Sequence, residues 1–271
     1  MRRRVPRAII ITFAIVAIAA AAAVIVPRFL RPRGAVAVPL ADPAEAKRLG
    51  DELLASTDTT VAVFIAHPDD AEWWIGGTLG MLAKHNRVIL VLGTSGEAGN
   101  GGLQSDLGEI RERLQLEGAK ILGYADVVFL RHPDGHLAEA EQYPAEVAAL
   151  LERLDPSTVI TFDTEHEAGG YHHVDHEAAG RAALAAVRDR GGIALYLFHS
   201  AAPDVICDFK PVAEAKSKAL STLASYHDSS PLGWLSRAAR AVGLEHAAVS
   251  FGGSSRFAQV DVQYGELFRK D

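Results

Sequence analysis

The chain has 271 residues, 49% of them hydrophobic and 23% charged, which excludes a disordered chain and leaves room for one large domain with a real core plus a small appendage. Its single cysteine, Cys207, excludes an internal disulfide and a cysteine-rich zinc site. Seven of the 27 Lys and Arg, and none of the 34 acidic residues, lie in the first 33 positions; the body keeps 20 basic against 34 acidic side chains, a net −14 that argues against a nucleic-acid partner.

The first predicted element is the uncharged run "AIIITFAIVAIAAAAAVIV" (8–26), about the length of a membrane-spanning helix. Arg2, Arg3, Arg4 and Arg7 precede it and Arg28, Arg31 and Arg33 follow it. Residues 1–33 therefore read as an N-terminal transmembrane helix acting as anchor, with a cleaved signal peptide, and hence secretion, as the rival. The small excess of basic residues before the run places the N-terminus in the cytoplasm and the body outside it. Residues 34–56 read as a Pro- and Ala-rich linker and lead-in, and 57–271 as the domain.

From residue 59 the chain alternates between two periodicities. "TTVAVFIA" (59–66), "RVILVLGT" (87–94), "ADVVFL" (125–130), "STVITF" (157–162) and "IALYLF" (193–198) are short apolar, mostly β-branched runs, as expected of strands buried on both faces. Helical spacing lies between them at 76–84, 107–122, 143–154 and 175–188, and again at 211–225 before a final strand at 256–264. This alternation predicts an α/β fold, a mostly parallel sheet covered by helices.

In such sheets ligands bind beyond the carboxyl ends of the strands, and the polar clusters fall there. His67, Pro68, Asp69 and Asp70 follow the first strand, and Thr94 to Gly99 the second. His132, Asp134 and His136 follow the third, and Asp163 and the "YHHVDH" cluster (171–176) the fourth. Imidazole and carboxylate groups suit zinc, and a catalytic zinc needs three protein ligands and an open position. His67 and one of Asp69 or Asp70 supply two, and the 172–176 cluster a third. The carboxylate left over is placed to take a proton from water whose pKa the ion lowers from 15.7 to about 7. The glycine-rich "GEAGNGG" lacks the lysine and hydroxyl of a phosphate loop. Trp73 and Trp74 read as packing or sugar-stacking residues, and His85, His199 and His246 receive no role.

"AHPDDAEWWIGGTL", "GTSGEAG", "EIRERLQLEGAKILG", "PDGHL" and "YHHVDHEAAGRAAL" occur in an order and spacing that resemble the LmbE/PIG-L family of zinc-dependent de-N-acetylases, over Val61 to Ala186. The resemblance implies a Rossmann-like three-layer fold and removal of acetyl from an N-acetylglucosamine-type amino sugar, carried by a small-molecule or lipid-linked conjugate. It implies Zn2+ held by His67, Asp70 and His176, with Asp69 as general base. It further implies His173 as the charged group opposite, Asp175 orienting and charging its neighbour, Tyr171 at the oxyanion, Arg111 touching the sugar, and Glu97 supporting the site from its loop. The chain departs from the family pattern in placing Ala71 before Glu72, Val174 where a proline is usual, and only Tyr226 or His227 with Ser229 for the C-terminal contacts. The rival from another class is a membrane-displayed carbohydrate-binding protein on an inactive hydrolase fold, against which the retained ligands and base argue. A phosphoesterase or peptidase ranks below both, because neither a two-metal carboxylate set nor an H-E-x-x-H helix is present.

Overall fold

Five of the apolar runs become strands; four are buried on both faces, while Val127 to Leu130 of the third are half-buried at the sheet's edge. The computed structural model describes residues 40–99, 101, 104–167, 173–223 and 265–271. The expected anchor (1–33), Tyr171, the contacts near Tyr226 and the strand at 256–264 lie outside them. Among the described residues no helix is long and apolar enough to cross a membrane.

The strands are β1 (Thr60–Ile65), β2 (Arg87–Thr94), β3 (Asp126–His132), β4 (Thr158–Phe162), β5 (Ala194–Phe198), β6 (Val205–Asp208) and β7 (Gly265–Lys270). They form one sheet in the order β3-β2-β1-β4-β5-β7-β6. The first five run parallel, and β7 lies antiparallel between β5 and β6. Val61 to Ile65 of β1 are wholly buried at the sheet's centre, and Val61, Val63, Phe64 and Ile65 each contribute roughly 1.5–3 kcal/mol by leaving water. The chain builds outward from β1 to β3, then returns to the other side of β1 for β4. The strand order therefore reverses between β1 and β4, which opens a crevice beyond their carboxyl ends.

The helices are α1 (Pro43–Leu54), α2 (Asp70–Trp74), α3 (Gly76–Leu82), α4 (Leu107–Leu122), α5 (Tyr143–Leu154), α6 (Val174–Arg190) and α7 (Ala213–Leu223). The spans of α4 and α5 match the sequence expectation, because a left-handed residue, Gly123 or Asp155, stops each one. Within the expected linker and lead-in, residues 43–54 form α1. Asp42 caps α1 through the N–H groups of Ala44 and Glu45, Pro43 begins it, and Ala46, Gly50 and Leu53 are buried. Gly50 lies so close to β6 that a Cβ there would come within 1.7 Å of the Ile206 carbonyl oxygen. That narrow stripe of small residues reads as linker in the sequence. The expected helix at 211–225 starts later, because Pro211 sits in a 3-10 turn (Lys210–Val212) ahead of α7.

β7 completes the far side of the sheet and is tied to α3. Glu266, buried on β7, accepts the N–H groups of Gly77 and Thr78 at 2.9 and 2.6 Å and pairs with buried Lys216 of α7.

Candidate metal centre and active site

β1 delivers His67 to the crevice, and the chain then turns so sharply that Asp69 adopts a left-handed backbone (φ 92) before α2 starts at Asp70. β4 ends below the same crevice, and α6 starts beside it with His173 as its N-terminal flanking residue, so that His176 projects from the first turn. Phe162, the last residue of β4, stacks on the His176 ring at 4.1 Å.

The two segments meet. His67 Nδ1 lies 3.3 Å from His176 Nε2; one Asp70 oxygen lies 3.1 Å from His176 Nε2 and the other 3.5 Å from His67 Nδ1. Ligands about 2.0–2.1 Å from a tetrahedral zinc stand about 3.3 Å from one another, so this corner has the spacing that such an ion requires. His67, Asp70 and His176 therefore fit a bound divalent cation. His173 adds an imidazole near them, its ring 4.7 Å from those of both His67 and His176.

His67 is held from its other side as well. Its Nε2 lies 3.0 Å from Asp134 Oδ1 and 3.2 Å from Asp175 Oδ2, the carboxylate partners that keep a ligating imidazole in one orientation. Asp175 is fixed in turn by the N–H groups of Gly135 and Leu137 at 2.7 and 3.0 Å. Asp134 Oδ2 accepts the Ala98 N–H at 2.9 Å, while the Asp134 N–H donates to Glu97 Oε1 at 2.8 Å. Glu97 thus supports the site through Asp134. Asp175 differs from its sequence-based role: its carboxylate serves His67, and only its backbone N–H reaches His173, at Nδ1, 3.3 Å away.

The electrostatics follow from this packing. Burial alone would raise Asp70, but His176 and His67 outweigh it and hold the carboxyl well below the usual range. Burial would lower His67, but Asp134, Asp175 and Asp70 push it well above the ordinary imidazole value, so an arriving cation must displace a proton. Asp69 is raised to about 6, first by lost hydration and then, against the attraction of Arg111, by the neighbouring Asp70. Its side chain keeps 35% of its surface open, so this is desolvation at a cleft floor rather than in a sealed core. His173 is lowered by burial and by its two imidazole neighbours.

Arg111 and Gln115 reach the Asp69 turn from α4. Arg111 is buried, and its guanidinium donates to the carbonyls of Gly96 (2.9 Å) and Pro68 (2.5 Å) and to Asp69 Oδ2 (3.2 Å). The structure thus gives it partners within the protein, where the resemblance implies a sugar contact. Gly96 must be glycine: its φ is +66, and a Cβ would meet Arg111 Nη1 at 2.1 Å.

Gln115 escaped the sequence reading; Asp134 stood there only as a member of the strand-end cluster, Glu72 only in the motif comparison, and His199 was given no role. His199 directly follows β5, adopts a left-handed backbone (φ 58), packs its ring 4.6 Å from that of Trp74, and borders a small cavity with Glu167 and His176. Its place at a strand end was visible in "IALYLFHS". A larger cavity, about 640 Å³, opens at the opposite edge of the sheet near Asp58, Lys84 and Arg87. Among the described residues, two groupings could hold a metal, His67 with His173 and His176, and His67 with Asp134 and Asp175, so His67 is common to both.

Fold and corner define a doubly wound α/β domain with a candidate histidine-aspartate metal centre at its switch point. Residues 62–187 match the family PIG-L, described as GlcNAc-PI de-N-acetylase. It is 29% identical over 136 residues to the Bacillus cereus protein named "Probable N-acetyl-alpha-D-glucosaminyl L-malate deacetylase 2", covering 47% of this chain and 60% of that protein. It is also 29% identical over 164 residues to the "1D-myo-inositol 2-acetamido-2-deoxy-alpha-D-glucopyranoside deacetylase" of Actinosynnema mirum, covering 50% and 56% of the two chains. The chain thus matches less than two thirds of either relative. Among solved structures, the N,N'-diacetylchitobiose deacetylase of Pyrococcus horikoshii superposes with a TM-score of 0.66 at 23% identity, over 83% of this chain and 90% of that one. That likeness establishes the fold.

Proposed function

We propose that this chain is a zinc-dependent hydrolase that removes the acetyl group from an N-acetylglucosamine-type sugar conjugate. The observation that carries the reading is the corner itself: His67, Asp70 and His176 stand at the mutual spacing of zinc ligands, while Asp69 beside them keeps an open carboxylate. The family match and the names of the two relatives support the same chemistry.

A bound zinc ion would supply Lewis acidity, which makes water acidic enough to attack an amide at neutral pH. Asp69 takes the proton of the attacking water, since its carboxylate is ionised at neutral pH and faces the cleft. His173 polarises the acetyl oxygen as charge builds there; Tyr171 is assigned the same task. Asp69 then returns its proton to the leaving nitrogen, releasing acetate and the free amine. Asp134 and Asp175 keep His67 turned toward the ion throughout.

The apolar run at 8–26 between arginine clusters supports an anchor that holds the domain against the membrane, and with it a lipid-linked or envelope conjugate as substrate. The test is acetate release by the zinc-loaded full-length chain across a panel of N-acetylglucosamine conjugates, alongside Asp69→Asn. That variant should keep its zinc and lose about 10²–10⁴-fold in kcat. Near-normal turnover would remove Asp69 from the mechanism, and a chain that binds these sugars without hydrolysing them would favour the binding protein instead.

A further inference from the structure

We infer that Gln115, backed by Glu72, is a positioning residue that holds the Asp69 turn in its working shape. The inference rests on the reading of Asp69 as the base. Asp69 sits at φ 92 and ψ −22, a conformation that a residue with a Cβ adopts only where its surroundings over-determine it. Two residues four apart on α4, and so on one face, supply that constraint. Gln115 Oε1 accepts the Asp69 N–H at 2.9 Å, and Arg111 grips the preceding carbonyl, that of Pro68.

Gln115 and Glu72 are both wholly buried, and a buried polar group is destabilising unless it is bonded. The Gln115 Nε2–H donates to Glu72 Oε1 at 2.9 Å, which fixes the amide so that its oxygen points at Asp69. Glu72 itself lies in α2, the helix that begins at Asp70. The bonds therefore close a ring: the turn carries the helix, the helix carries Glu72, Glu72 orients Gln115, and Gln115 holds the turn. An apolar pair of the same volume would pack the interior equally well and leave the Asp69 peptide free to rotate. Rotation there swings the base away from the cleft and leaves His67 and His176 on their own anchors, with Asp70 still held by the His67 N–H at 2.8 Å.

The test uses the full-length chain with Gln115→Leu, Glu72→Gln and Glu72→Leu, each measured for zinc affinity, kcat, KM and amide hydrogen exchange. In Gln115→Leu, exchange should rise in the peptide covering 66–74 and stay unchanged in 60–65. Zinc affinity should hold within about threefold and KM within about twofold, while kcat for acetate release falls roughly 10- to 100-fold, the loss expected for a reacting group displaced by about 1 Å. Glu72→Gln keeps an oxygen for the Gln115 amide and should lose much less than Glu72→Leu. Should one leucine variant fail to fold, the other carries the comparison. Wild-type exchange and kcat in Gln115→Leu would overturn the inference, as would a parallel loss of zinc, which would make the amide a support for the ligands. A wild-type chain with no turnover on any conjugate would defeat the deacetylase reading, and exchange at 66–74 would still decide whether the clamp exists.

Discussion

Asp134 offers a sharp test of the metal corner, because it touches neither the proposed ion nor the cleft and acts only through His67. Its Oδ1 lies 3.0 Å from His67 Nε2, across the ring from Nδ1, which faces Asp70 and His176. Adding the width of the ring and a metal–nitrogen bond puts the carboxylate about 7 Å from a cation on Nδ1. A unit charge and a dication at that distance attract by about 5 kcal/mol at an effective dielectric of about 20, and by about 1 kcal/mol at 80. The Asp134 side chain is only 8% exposed although its backbone is open to solvent, so its value lies between these limits. Asp134→Asn keeps an oxygen for His67 and removes the charge, and it should weaken zinc binding about 10- to 100-fold, or about 1.4–2.7 kcal/mol. Competition against a chromogenic chelator at pH 7.5 measures this directly. Zinc affinity within about twofold of wild type would refute the reasoning, because it would mean that no cation sits on the Nδ1 side of His67.

Three other outcomes follow from the same geometry. Asp69 works as a base only when ionised, so turnover is present above its pKa and lost as pH falls through it. Metal-free packing places that pKa at about 6 and a nearby dication lowers it, so the acid limb of the kcat profile should lie at or below about pH 6; a limb above pH 7 would exclude Asp69. Lys216→Met leaves Glu266 buried without its cation and should destabilise folding by about 3–5 kcal/mol in urea titrations, with β7 released from α3. Gly96→Ala places a Cβ against the Arg111 guanidinium at positive φ and should cost about 1–3 kcal/mol of stability and lower kcat, whereas an unchanged melting temperature would show that the loop relaxes freely.

Much of the fold was legible because its strands are uniform: "TTVAVFIA" and "RVILVLGT" are apolar on both faces, as only interior parallel strands are. α1 and β6 were not legible, because each is incomplete alone. Ala46 and Gly50 look like linker composition until Ile206 of β6 packs against them, and "VICD" is too short to show a period. The proposed metal ligands stood out as histidines and aspartates next to strand ends. Their supports did not: nothing local in "RERLQLEG" marks Gln115 as a partner of a residue 46 positions earlier.

The sequence by itself determined the layered α/β architecture, the strand ends at which chemistry collects, and the residue types able to hold a cation, since periodicity and side-chain chemistry are local properties. Tertiary structure alone decided which carboxylate faces which imidazole. The reversal of strand order between β1 and β4 brings His67 and His176, 109 positions apart, to 3.3 Å, and it assigns Asp175 to His67 in place of its neighbour in the chain. Those pairings depend on distances set by the packed sheet, and no local pattern encodes them.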